Sequence, residues 1–107
     1  MPFNKLSDKL VFNILNGINV GYLEIRNYQG EVFKFGNPQD NLKAQLKIKK
    51  PNFSLNLIKG GSISFAESYM RGEFETDNLS NLIEITARNI KIIYKFSGLL
   101  DFPIINF

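Results

Sequence analysis

Residues 42–50 read LKAQLKIKK, and this stretch decides the fold. Leu42, Ala44, Leu46 and Ile48 fall on one side of an extended chain, and Lys43, Gln45, Lys47 and Lys49 fall on the other. A period of two fits a strand with one dry and one wet face, because successive strand side chains point to opposite sides. Pro51 then stops the strand and can open a helix, where its missing N–H costs nothing. Upstream, GYLEIRN alternates around Leu23 and Ile25, Tyr28-Gln29-Gly30 turns the chain, and EVFKF supplies a partner strand. Gly36-Asn37-Pro38 reads as a loop.

Further out the period changes. Phe3, Leu6, Leu10 and Ile14, with Val11, Leu15 and Ile18, recur at helical steps, and Gly17 is the expected stop. Phe53, Leu57 and Ile58 give a short helix its apolar side, closed by Gly60-Gly61. A second short helix follows in GSISFAESYMRGEFET, residues 61–76. Ser64 and Glu67 have the spacing of a capping box, Glu67 and Arg71 that of a helical ion pair, and Gly72 that of a left-handed helix end. Phe65 and Tyr69 share one face; Ile63, Ala66 and Met70 share another. Glu73-Phe74-Glu75-Thr76 alternates as a short strand. Asp77 or Asn78 caps a last long helix with Leu79, Leu82, Ile83, Ile90 and Ile93 on its stripe. The class is α+β: one domain, with a small, mostly antiparallel sheet covered by helices.

Composition excludes much chemistry. The 107 residues include no histidine and no cysteine. Cys- and His-containing zinc sites, imidazole bases, Ser-His and Cys-His pairs and disulfides are therefore absent, and no metal site is expected. The N-terminus does not read as a signal peptide, and no apolar run approaches a membrane span. Between Lys43 and Lys59 stand five lysines (43, 47, 49, 50 and 59) and no acid; between Glu67 and Glu84 stand five acids and only Arg71. The plain reading is two solvated faces. The sharper one is a basic side that meets anionic lipid. Nucleic acid is not the expected partner, because the basic stretch lacks arginines and interleaved aromatics. Glu73 and Glu75 alternate on one face, yet nothing gathers around them to make an acid–base pair.

The pattern Pro-x-Phe-x-x-x-Leu-x-x-Gly-Gly-x-Ile-x-x-x-Glu-x-Tyr-Met-x-Gly-x-Phe-x-x-x-x-Leu, from Pro51 to Leu79, resembles the N-terminal domain of the cyclopropane-fatty-acyl-phospholipid synthases. The hairpin GYLEIRNYQGEVFKFG, the strand LKAQLKIKKPNF and the pair Arg88-Asn89 extend the resemblance over residues 20–89. Ser62 to Ala66 replace a glycine-rich portion of the family pattern, and Phe74 stands where the family has tryptophan. Tyr69-Met70-Arg71-Gly72-Glu73 also looks like a turn of sterol-carrier-type domains. The resemblance implies a lipid- or membrane-recognition module, not catalytic by itself, that presents phospholipid acyl chains to a methyltransferase domain. S-adenosylmethionine would then bind that separate domain, since no glycine-rich cofactor turn occurs in this chain. It implies a cytoplasmic protein, or one peripheral to the inner face of the membrane.

On this reading Lys43, Lys47, Lys49, Lys50, Lys59, Tyr69 and Met70 are candidates to face lipid. Gly60, Gly61, Ser64, Glu67, Arg71 and Gly72 form the structural motif. Tyr69 and Met70 also read as plain core, with the Tyr69 hydroxyl near an edge. A structural docking or dimerisation module without lipid contact is the alternative, through the last helix and the apolar tail GLLDFPIINF. A small carrier with an internal pocket is a third reading.

Overall fold

A computed structural model describes residues 2–93. Its elements run α1 (Pro2–Leu15), β1 (Tyr22–Arg26), β2 (Val32–Gly36), β3 (Lys43–Ile48), α2 (Phe53–Met70), β4 (Phe74–Thr76), α3 (Leu79–Arg88) and α4 (Ile90–Ile93). The protein is α+β, as the periodicities require. The tail at residues 98–107 lies outside the described residues.

The four strands form one mixed sheet in the order β2-β1-β3-β4. β1 pairs antiparallel with β2 and β3 with β4, but β1 and β3 run parallel, with Ile25 opposite Leu46. Short connections between the first three strands had favoured a mostly antiparallel sheet. The parallel ladder arises because residues 37–42 pass beneath the start of β1 and bring β3 up on its far side. Local hydrogen bonds hold this crossing. The Asn37 amide donates to the Gly21 carbonyl at 3.0 Å, and the Tyr22 amide to the Leu42 carbonyl at 2.9 Å. The Asp40 carboxylate accepts from the amides of Gly21 at 2.8 Å and Leu42 at 2.9 Å. These amides hold the Asp40 carboxyl below the usual carboxylate range, the Leu42 amide most strongly. Gly36 adopts φ +88° and lies so close to Gly21 that a Cβ would collide with its carbonyl.

One sheet face is dry. Leu23 and Ile25 of β1, Phe35 of β2, Ala44, Leu46 and Ile48 of β3 and Phe74 of β4 are buried there. Helices cover that face and contribute Val11, Leu15, Phe53, Ile58, Leu82 and Ile85 to the core. Val11 and Leu15 of α1, and Ile18 after it, are buried, whereas Leu6 and Leu10 are exposed.

The last helix differs from the sequence reading. Asn78 does cap it, accepting from the Asn81 amide at 3.0 Å. The helix then breaks at Asn89. That side chain is buried, accepts from the amides of Asn19 (3.1 Å) and Val20 (3.3 Å), and donates to the carbonyls of Val20 (2.8 Å) and Ile85 (2.7 Å). Asn89 thus fastens the end of α3 to the approach of β1. Leu82, Ile85 and Asn89 make the buried stripe, and Ile83 and Ile90 of the expected stripe point outward.

Gly36→Ala should therefore cost at least about 2 kcal/mol in urea unfolding, from backbone strain plus the clash at the crossing. Gly30→Ala is the control, because Gly30 has φ +90° but open space around its missing Cβ. It should lose only the strain of about 1 kcal/mol. Equal losses would contradict the close approach.

Candidate functional site

The segment GSISFAESYMRGEFET becomes the second half of α2, the turn after it and β4. The two short helices expected here are both present: the run from Phe53 to Met70 is two helices that meet at a kink, where Gly61 has a non-helical φ of 58° and ψ of −137°. Only glycine takes that conformation cheaply. Ser64 therefore lies within the helix and does not cap it. Its Cβ packs against Gly60, where a Gly60 Cβ would stand 2.5 Å away. The capping box of Ser64 and Glu67 is thus replaced by close packing across the kink.

The other motif residues behave as their spacing suggests. Gly72, at φ 73°, ends the helix. Its amide donates to the Tyr69 carbonyl at 3.0 Å, and the Glu73 amide donates to the Ser68 carbonyl at 2.9 Å. These two bonds form the Schellman motif. Arg71 lies 4.0 Å from Glu67 and 2.9 Å from Glu73. The Arg71 bond, joined by one from the Ser68 hydroxyl, lowers the Glu73 pKa.

Phe74 organises the segment. It is almost fully buried, with ring centroids 5.4 Å from Phe53, 4.8 Å from Phe65 and 5.6 Å from Tyr69. The first of these rings precedes the kink and the other two follow it. Because Phe65 and Tyr69 turn toward Phe74, the other side of the helix turns away. Ile63 is 69% exposed and Met70 75%, with exposed Ala66 between them. Tyr69 shows an exposed edge. Met70 is thus a surface side chain, against its reading as plain core.

The lysine candidates are separated. Lys43 and Lys47 are exposed on the face of β3 that no helix covers and Lys49 is exposed just past its end, while Lys50 stands before α2 and Lys59 on α2 before the kink. The bare face is not uniformly basic. Glu24 of β1 lies opposite Gln45, and Glu75 of β4 lies opposite Lys47. Lys49 pairs with Glu75 at 3.1 Å, and the Lys43 ammonium sits 5.9 Å from the centre of the Tyr22 ring. Sequence adjacency could not show this, because the neutralising acids come from neighbouring strands.

Among the described residues, Glu73 and Glu75 do not form an acid–base pair. Glu73 and Glu75 share a strand face, but each has its own cation, and the Glu73 pKa is lowered where a general acid needs it raised. The Ser54 hydroxyl donates to Asp8 at 2.5 Å, joining α2 to α1, but Ser54 is buried and the chain has no imidazole. Among the described residues no cluster of acidic side chains could hold a metal ion, and no helix is long and apolar enough to cross a membrane. No family model, curated protein or solved structure matches this chain.

Asp8 gives a test by pH. Burial raises its pKa, Glu31 adds to the rise, and the Ser54 hydroxyl opposes it. The folded state thus holds this proton more tightly than the unfolded chain. The resulting stabilisation is complete below the unfolded pKa and lost as pH rises through the folded one. Asp8→Asn, which keeps an acceptor for Ser54, should gain most over wild type at neutral pH in urea titrations. The gain should shrink toward pH 4; a gain that grew on acidification would contradict the burial.

Proposed function

We propose that this chain is a non-catalytic lipid- or membrane-recognition module of a cyclopropane-fatty-acyl-phospholipid synthase-like methyltransferase. It presents phospholipid to a catalytic domain that binds S-adenosylmethionine elsewhere. The observation that carries the reading is the ridge of Ile63, Ala66 and Met70, which the Phe74 cluster leaves facing solvent. Burying an Ile or Met side chain is worth about 1.5–3 kcal/mol, so two such anchors can hold a protein weakly on a bilayer. Lys59 on α2 and Lys50 before its start would add attraction for an anionic leaflet of roughly 1 kcal/mol for each cation near the surface. Helices on one side of a small sheet support a sterol-carrier-like reading of the fold. The chain would work at the inner face of the membrane as a peripheral protein.

A docking or dimerisation module without lipid contact is the second reading. It is favoured by further exposed apolar side chains on the helical layer, namely Leu6, Leu10, Ile83 and Ile90.

Co-pelleting with vesicles separates the two. The chain should pellet with phosphatidylglycerol vesicles at low salt, less at high salt, and weakly with phosphatidylcholine. Met70→Glu should weaken binding roughly tenfold or more, the loss of one buried side chain. No pelleting in any condition would overturn the lipid reading, and a stable dimer lost on Ile83→Glu would establish the second.

A further inference from the structure

The bare sheet face holds a shallow groove of about 290 Å³ between β1, β3 and β4. Its charges come in two rows, fixed by strand register. In one row Arg26 of β1 lies beside Lys47 of β3, with Glu75 of β4 beyond. In the next, Glu24 lies beside Gln45, with Asp77 at the end of β4 lining the same groove. Residues two apart on a strand lie about 6.6 Å apart, so a cationic row runs one pleat from an acidic one.

The cationic row is unbalanced. Like charges directly opposite on neighbouring strands destabilise a sheet. Glu75, the acid nearest in register, is engaged with Lys49 at 3.1 Å. Among the described residues neither Arg26 nor Lys47 forms an ion pair, although four other pairs do form. Arg26 makes one long hydrogen bond, to the Gly30 carbonyl at 3.4 Å, and its remaining N–H groups stay available. Two adjacent cations without counter-ions, over a depression, suit an oxyanion that bridges them. The opposite row keeps acceptor capacity: Glu24 takes only the Tyr22 hydroxyl at 3.2 Å, and Asp77 uses one oxygen for the Gln45 amide at 2.7 Å.

The geometry points to a binding site for a small aminoalkyl phosphate, its phosphate bridging Arg26 and Lys47 and its ammonium against Glu24 and Asp77. The guanidinium supplies paired donors to the phosphate and the lysine a point charge. A two-carbon spacer suits charge rows one pleat apart. The site lies across the sheet from the helical layer and its apolar ridge, so it goes beyond the lipid-surface reading and stands without it. The same head-group chemistry occurs free in solution and on phosphatidylethanolamine.

The test is an amide-resolved NMR titration with phosphoethanolamine, with inorganic phosphate and ethanolamine as comparisons. Saturable shifts are expected at residues 24–26, 45–47 and 75–77, at roughly tenfold lower concentration than with inorganic phosphate. Arg26→Gln or Lys47→Gln should each weaken binding about tenfold, the worth of one charge-assisted hydrogen bond. Glu24→Gln should bring phosphoethanolamine down toward inorganic phosphate. Absence of saturable shifts, shifts spread over every lysine, or variants that bind like wild type would overturn the site. Phosphatidylethanolamine vesicles identify the source: pelleting lost with Lys47→Gln but kept with Met70→Glu means a lipid head group, and pelleting indifferent to Lys47 means the free compound. Met70→Glu should still bind soluble phosphoethanolamine, so failure of the ridge and failure of the groove are distinguishable.

Discussion

The contact between Phe74 and the two halves of α2 is the constraint on which the rest depends. Phe74 belongs to the shortest strand, yet Phe53 meets it from before the kink and Phe65 and Tyr69 from after it. A straight helix could not bring both halves onto one ring. Gly61 supplies the bend, and Gly60 lets Ser64 close against it. The Schellman turn at Gly72 then returns the chain so that Phe74 enters the sheet beside Ile48. Aromatic pairs of this kind contribute about 0.5–1.5 kcal/mol each beyond the area they bury. The cluster therefore fixes both the seat of α2 and its outward face.

Much of this was legible in the sequence where the signal is local. The alternation in LKAQLKIKK gave β3 and its two faces, and the turn residues gave the β1–β2 hairpin. Asn78 and Gly72 announced a helix start and a helix end by chemistry contained within a few residues. What stayed hidden is non-local. Asn89 looks like an ordinary helical residue until its amide is seen to satisfy Asn19 and Val20, some seventy positions earlier. The parallel β1–β3 ladder depends on Asp40 and Gly36 gripping Gly21, which no periodicity encodes. Ser64 and Glu67 had the right spacing for a cap but stood inside a helix whose bend had already been made by Gly61.

The candidate site was legible in kind and not in arrangement. Ile63, Ala66 and Met70 were grouped correctly as one helical face, but only packing shows that this face is wet. The lysines that form one run along the chain divide between two surfaces, and acids from neighbouring strands dilute the part that lies on the sheet. The result is a protein with two unlike sides. The helical side carries exposed apolar side chains, as a surface that meets lipid or another protein requires. The sheet side is polar, with its charges in ordered rows.

The most direct test of this account is the solution geometry of the Phe74 cluster, read together with the exposure of Met70. Isotope-filtered NMR should show nuclear Overhauser contacts from the Phe74 ring to Phe53, Phe65 and Tyr69. A soluble gadolinium chelate should broaden the Met70 methyl strongly while sparing Ile85. A Met70 methyl as protected as Ile85, or a Phe74 ring in contact with only one half of α2, would contradict the account.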